Sequence, residues 1–167
     1  MYIAQERFNP TFRNTVSKTM NANNTTVSVP LFRITGSIYV KRLYGVVTTV
    51  LGSNHTAAHW RLEDGTNTPA VTLATGTTLS SANVGSLIQK KGLAAAALTL
   101  SQADQVRISE HATSGMDPDA PFSVVQKNGA NSDLVYRYTT TNAPTSGVIQ
   151  FFLDWEPLSA DAAVTNQ

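Results

Sequence analysis

The chain has 167 residues, a formal net charge of +1 and a charged fraction of 14%. That length suits one domain able to bury well over half of its unfolded surface, while so weak a charge supplies no field to hold a polyanion through many phosphate contacts, so nucleic acid is not an expected partner. Cysteine is absent, which excludes disulfide frameworks, thiolate metal sites and cysteine nucleophiles and fits assembly in a reducing cytoplasm.

Along the chain, residues 1–26 show no sustained period of 2 or 3.6, and Asn14 to Thr26 is almost wholly polar. They read as an extended N-terminal arm, with Tyr2, Ile3, Phe8 and Phe12 as anchors for docking on a neighbouring subunit. A strand folded back on its own domain is the equal alternative. A β-sandwich domain is expected over 27–158. It starts with Val27 to Ile34, where Pro30 cannot donate to a ladder and so belongs at an edge or bulge. Ser37 to Leu51 carries the longest strand signal; its alternation shifts near Arg42 and Leu43, which predicts a bulge, with Gly45 helping the strand bend. His59 to Glu63 alternates and meets Asp64-Gly65, a hairpin dipeptide, with Ala70 to Ala74 as the returning strand. Further short runs follow at Gly85 to Lys91, Gln105 to Ser109, Phe122 to Lys127 and Leu134 to Thr141. Leu93 to Leu98 contains strong helix formers over only about two turns and reads as a short surface helix or a loop, with Leu98 and Leu100 held to the core.

The final strand places Ile149, Phe151, Leu153 and Trp155 on one face and Gln150, Asp154 and Glu156 on the other, until Pro157 stops it. It is expected at the centre of the core. Phe152 falls on the polar side, covered by a loop or offered to another subunit. The small, polar residues 159–167 read as a flexible tail. Thr, Ser and Asn number 22, 14 and 12, residues that suit pleated strands and turns. The whole pattern predicts an all-β fold, an antiparallel β-sandwich or jelly roll. No segment approaches the roughly 18 uncharged apolar residues of a membrane helix, and Met1 to Arg7 lacks the basic-then-apolar order of a signal peptide. Neither export nor membrane insertion is expected.

A search for chemistry assigns no catalytic residue, cofactor or metal. His55 and His59 are four apart across a loop-to-strand junction, which is no ligand spacing, and are expected as polar surface or as satisfied hydrogen-bonding groups. Asp117-Pro118-Asp119 reads as a proline turn, too poor in oxygen ligands for calcium. Glu63 and Asp64 would diverge to opposite faces of a strand, so Glu63 is expected in solvent or paired with an arginine. Gly-x-Ser-x-Gly, phosphate-loop and His-Glu-x-x-His patterns are absent.

Two stretches carry a resemblance: Phe32 to Val40 running on to Leu43-Tyr44-Gly45-Val46-Val47-Thr48-Thr49, and Gly147 to Leu158. They resemble small virion structural proteins of tailed phages, of the capsid cement or decoration type. The resemblance implies a β-sandwich on the capsid surface of the virion, assembled in the host cytoplasm, with the major capsid protein as partner and a homotrimeric state. It transfers no functional residue. Tyr2, Ile3, Phe8, Phe12 and Phe152 are the candidate subunit or capsid contacts. The alternative is a tail-fibre or spike-associated β-domain that binds glycans, which would need exposed aromatic platforms; a small hydrolase would need a clustered acid, base or nucleophile.

Overall fold

The computed structural model describes residues 10–23, 25–63, 70–90, 98–101, 121–126, 130–140 and 146–167. Their strands are β1 (Phe12–Thr19), β2 (Thr26–Thr35), β3 (Ile38–Thr49), β4 (Thr56–Glu63), β5 (Val71–Thr72), β6 (Leu87–Lys90), β7 (Leu98–Ser101), β8 (Phe122–Val124), β9 (Ser132–Thr139), β10 (Val148–Pro157) and β11 (Ala163–Asn166). One sheet runs β1-β10-β3-β6-β7, and β8 pairs with the start of β3; the other runs β11-β2-β9-β4-β5. Every strand pairing is antiparallel. The chain crosses between sheets after β1, β2, β3 and β5, and again before β9, β10 and β11.

The sheets pack face to face on a core that draws Leu31, Phe32, Trp60, Leu134, Tyr136 and Tyr138 from one and Ile38, Val40, Leu43, Val47, Phe151 and Leu153 from the other. Tyr136 and Phe151 meet across the gap, ring centroids 5.0 Å apart. The expected all-β antiparallel sandwich is therefore the observed one.

Two bulges reconcile an imperfect alternation with a single buried face. In β2, Val29 pairs with Tyr136 and Pro30 with Val135, but Phe32 pairs with Leu134, so Leu31 is the extra residue. The side-chain period of 2 then restarts, and both Leu31 and Phe32 are buried before Ile34. Pro30 also lies beyond the reach of β11, which pairs only with Phe32 to Thr35, so its missing donor interrupts no ladder on that side. In β3, Val40 pairs with Trp155 and Arg42 with Asp154, leaving Lys41 as the extra residue. The expected bulge thus sits one position before Arg42, and it turns Ile38 and Val40 and then Leu43 and Val47 all inward. Gly45 has a packing role in addition: a Cβ there would stand 3.0 Å from Ile149 Cγ2 and 3.3 Å from the Phe151 ring, so the missing side chain lets β10 press its large residues against β3.

Both ends of the expected domain map need correction. In place of an extended arm over 1–26, Phe12 to Thr19 follows the equal alternative of a strand folded back on its own domain and pairs residue for residue with Trp155 to Val148 as an edge strand. A polar sequence suffices because an edge strand satisfies its backbone on β10 and needs only partial cover for its inner face, supplied by Val16 against the core. Met20 and Ala22 are buried beyond it. In place of a flexible tail over 159–167, Ala163 to Asn166 pairs with Thr35 to Phe32; four residues are enough when the neighbouring strand offers a free ladder and Val164 packs against the core. The hairpin of β4 and β5 has the expected partners, Arg61 with Thr72 and Leu62 with Val71, while its Asp64-Gly65 turn lies outside the described residues. So do Gln105 to Ser109, Asp117 to Pro121 apart from Pro121 itself, His111, and Leu93 to Ala97; Leu98 opens strand β7.

The end of the sandwich formed by the loops after β1, β3, β5 and β9 is laced by backbone hydrogen bonds: Met20 N donates to Gly147 O at 2.9 Å, Gly52 N to Ser146 O at 3.0 Å, and Leu51 N to Ala82 O at 3.1 Å. Gly147 makes this possible. Its φ is +117°, and a Cβ would stand 2.6 Å from Val50 O and 2.9 Å from Thr49 O. Gly147→Ala is expected to destabilise the fold by about 2 kcal/mol or more through strain and backbone clash together, read as a lowered urea midpoint at constant m; an unchanged midpoint would refute this account of the turn.

Candidate interaction surface

The sequence-predicted contact residues occupy different parts of the molecule. Tyr2, Ile3 and Phe8 lie outside the described residues. Phe12 opens β1 opposite Trp155 and stacks on its indole at 5.0 Å, yet stays 44% exposed. Trp155 itself is buried, and its Nε1 donates to Asn14 Oδ1 at 2.9 Å, so the indole is tied to β1 by both stacking and a hydrogen bond. Phe152 lies on the other face of the same sheet, because it is three residues from Trp155 on an unbroken stretch of the β1–β10 register. Neither a loop nor a second subunit is needed to cover it: Tyr44 of β3, directly opposite, stacks on it at 4.7 Å with ring planes 7° apart. Phe12 and Phe152 do not form one patch.

The outer face of this sheet places charge beside the aromatic pair. Arg13 grips Asp154 with two parallel hydrogen bonds, Nε to Oδ1 at 2.6 Å and Nη2 to Oδ2 at 2.8 Å, the planar fork that makes guanidinium–carboxylate pairs strong. The bond to Asp154 raises the Arg13 pKa further. Asp154 is buried although its strand position is on the polar side, and it is flanked in register by Arg13 on β1 and Arg42 on β3. Lower on the sheet, Lys41 Nζ donates to Glu156 Oε1 at 2.7 Å, and this bond, with a second from Thr11, holds the Glu156 carboxyl below its ordinary range. Both of these ion pairs lie within the face.

At the long side of the sandwich, β1 and β11 are edge strands of opposite sheets, and side-chain amides join them. Asn14 Nδ2 donates to Val164 O at 3.1 Å, Asn166 Nδ2 donates to Thr15 O at 2.8 Å, and Lys18 Nζ donates to Gln167 O. Backbone carbonyls that would otherwise template a further strand are thereby occupied, a common way to blunt an edge. Gln167 is fastened again by its own N–H to Leu31 O at 3.0 Å and by Nε2 to Asp133 Oδ1 at 3.0 Å.

Among the histidines, His55 is fully buried rather than on the surface. Its ring stacks on Tyr138 at 4.3 Å, and Nε2 is 2.7 Å from Tyr136 Oη, while among the described residues Nδ1 has no hydrogen-bond partner. Burial pushes its pKa down to about 4 and raises that of Tyr136 well above its ordinary value. His59 is partly exposed, and its Nδ1 lies 2.7 Å from the carbonyl of Ala57; the two imidazoles do not share a site. Glu63 pairs loosely with Arg61 at 3.7 Å. Among the described residues no group of three or more His, Asp or Glu could hold a metal ion. Trp60 is completely buried.

Fold and surface together define an antiparallel two-sheet β-sandwich, held at its long side by its own N- and C-terminal strands. No family model, curated protein or solved structure matches the chain.

Proposed function

We propose that this chain is a non-enzymatic structural protein of a tailed-phage particle that binds the outer surface of the capsid through the major capsid protein and reinforces it as a trimeric cement subunit. The observation that supports the reading is the strand order. The set β1-β10-β3-β6 faces the set β2-β9-β4-β5, which matches the interleaving of a jelly roll, an architecture used by viral capsid and lectin domains. The sequence resemblance points the same way, since Phe32 to Thr49 and Gly147 to Leu158 supply the end of β2, the turn into β3, β3 itself and the whole of β10. A closed long edge and ion pairs spent within one face suit a subunit that must stay soluble before it docks and then sit permanently on a lattice.

Titration of the purified protein onto capsids of its own phage that lack it, followed by sedimentation, is expected to saturate at a fixed number of copies per capsid and to improve survival of the particle on heating or in low salt. Absence of capsid binding, with the protein recovered on tails, would overturn the proposal in favour of a tail-fibre or spike-associated, glycan-binding domain. One observation favours that second reading: the half-buried Tyr44–Phe152 pair is an aromatic surface of the kind sugars stack on, whereas Trp60 and Trp155 are buried.

A further inference from the structure

The outer face of the sheet that holds β2, β9 and β4 buries a residue the core does not use. Val135 is 2% exposed, yet it is not part of the core between the sheets, because Leu134 and Tyr136 on either side of it point inward. The register gives it Pro30 on β2 and Arg61 on β4 as direct neighbours, with Arg137 two residues further along β9. Arg137 in turn stands between Ser28 and His59. Diagonal neighbours such as Arg61 and Arg137 lie about 7 to 8 Å apart at the backbone, well within reach of two long side chains. Both are half-buried, as expected of arginines whose aliphatic stems cover apolar surface while the charged heads stay outside.

Charge on this face does not balance among the described residues. Arg33 is closed by Asp133 in a fork, Nε to Oδ1 at 2.9 Å and Nη2 to Oδ2 at 3.0 Å, and Asp133 Oδ1 also accepts from Gln167. Arg61 has only Glu63, with Nε 3.7 Å from Oε1, too far for a hydrogen bond, and Arg61 Nε is buried without an acceptor among the described residues. Arg137 has no ion-pair partner among them. Two neighbouring guanidinium groups are therefore poorly paired, while the Arg33–Asp133 fork beside them shows the geometry that would satisfy one. A charged donor partly withdrawn from water gains most from an anion that matches its fork.

We propose that Arg61 and Arg137 form a carboxylate-binding site, and that its occupant is an aspartate or glutamate side chain of a protein that docks on this face. Three arginines against the two carboxylates Asp133 and Glu63 leave one surplus positive charge, which suits a monoanion and not a polyanion. The planar fork of a guanidinium selects a carboxylate in two-point contact. A sugar acid is less well served, since the aromatic rings of β4 and β9, Trp60, Tyr136 and Tyr138, are buried inward and give no stacking surface beside the arginines. The site is a property of the free subunit and does not depend on the capsid reading, so either can fail without the other.

The test is a nuclear magnetic resonance titration of the isotope-labelled full chain that follows the Nε–H signals of its arginines. The probe is a capped peptide carrying one glutamate between glycines, with its glutamine counterpart as control, at constant ionic strength. The signals of Arg61 and Arg137 are expected to move together and to saturate with a dissociation constant of roughly 1 mM, while that of Arg33, already closed by Asp133, stays in place. Arg137→Gln is expected to weaken the glutamate peptide about tenfold or more at an unchanged melting temperature, and Arg137→Lys, which keeps the charge but not the fork, to restore only part of the loss. The site is overturned by the absence of a saturable shift in the parent protein, by an equal response to the glutamine peptide, or by unchanged affinity in Arg137→Gln. Tighter binding of glucuronate than of the glutamate peptide overturns the protein partner in favour of an acidic saccharide.

Discussion

Phe151→Ala is expected to cost about 3 to 5 kcal/mol, the usual penalty for emptying a large aromatic site that cannot collapse. Phe151 is fully buried on β10, and its ring fills the space between the two sheets, 5.0 Å from Tyr136. On its own sheet the ring abuts the position where Gly45 lacks a side chain. Backbone pairing on both sides of β10, with β1 and with β3, keeps the strand from moving inward to fill a cavity. Phe151→Leu retains most of the volume and should cost only about 1 to 2 kcal/mol. Urea denaturation at neutral pH reads both values from the midpoint at constant slope. A shift equivalent to less than about 1 kcal/mol for the alanine variant would mean that Phe151 is not what joins the sheets.

Acid should loosen the fold through His55, and the sign follows from the direction of its shift. The imidazole is held at about 4 in the folded chain, against 6.5 when unfolded. Between these values the unfolded chain binds a proton that the folded chain refuses, so stability is full above pH 6.5 and falls as pH drops toward 4. At about 1.36 kcal/mol per pH unit the loss reaches up to about 3 kcal/mol. The cause is burial: among the described residues the groups facing the ring are the neutral Tyr136 and Tyr138, and Ser80 Oγ approaches only the His55 carbonyl, so none of them is a carboxylate that would compensate an imidazolium. Comparing urea midpoints at pH 7.5 and 4.5 checks this, with His55→Phe as control. The control should be less stable at pH 7.5, because Tyr136 Oη loses its partner, but should show a smaller fall between the two pH values. An equal fall in both proteins would place the acid sensitivity elsewhere.

The strand-rich body was legible because its signals are local. Ile149, Phe151, Leu153 and Trp155 alternate cleanly and are the buried face of β10. The shift of alternation near Arg42 and Leu43 announces the bulge at Lys41, and Pro30, unable to donate, announces an edge or bulge beside Leu31. The hairpin of β4 and β5 was visible from alternation flanking a turn dipeptide.

The polar strand β11 is not legible as a folded element, and β1 is legible only as one of two equal alternatives. Their place depends on partners more than a hundred residues distant in sequence: Phe12 to Thr19 is ordered by β10, and Ala163 to Asn166 by β2. A sequence window holds the polarity of such a strand but not the free ladder that receives it. The same limit applies to the surface. Phe152 looked unaccompanied because Tyr44 lies on another strand, and Asp154 looked solvated because Arg13 grips it from the far end of the chain. His55 sits in a polar loop sequence, while the tyrosine that reaches it is 81 residues away.

The amino-acid sequence by itself therefore determined the all-β class, the buried face of the last strand and the shift of alternation near Arg42 and Leu43, because each rests on side-chain period and backbone preference within a few residues. Tertiary structure decided the strand order, the capture of both terminal strands at one edge, the burial of His55 and the pairing of Phe152 and Asp154. Each of these is a contact between distant segments, and its free energy exists only once the two sheets have met.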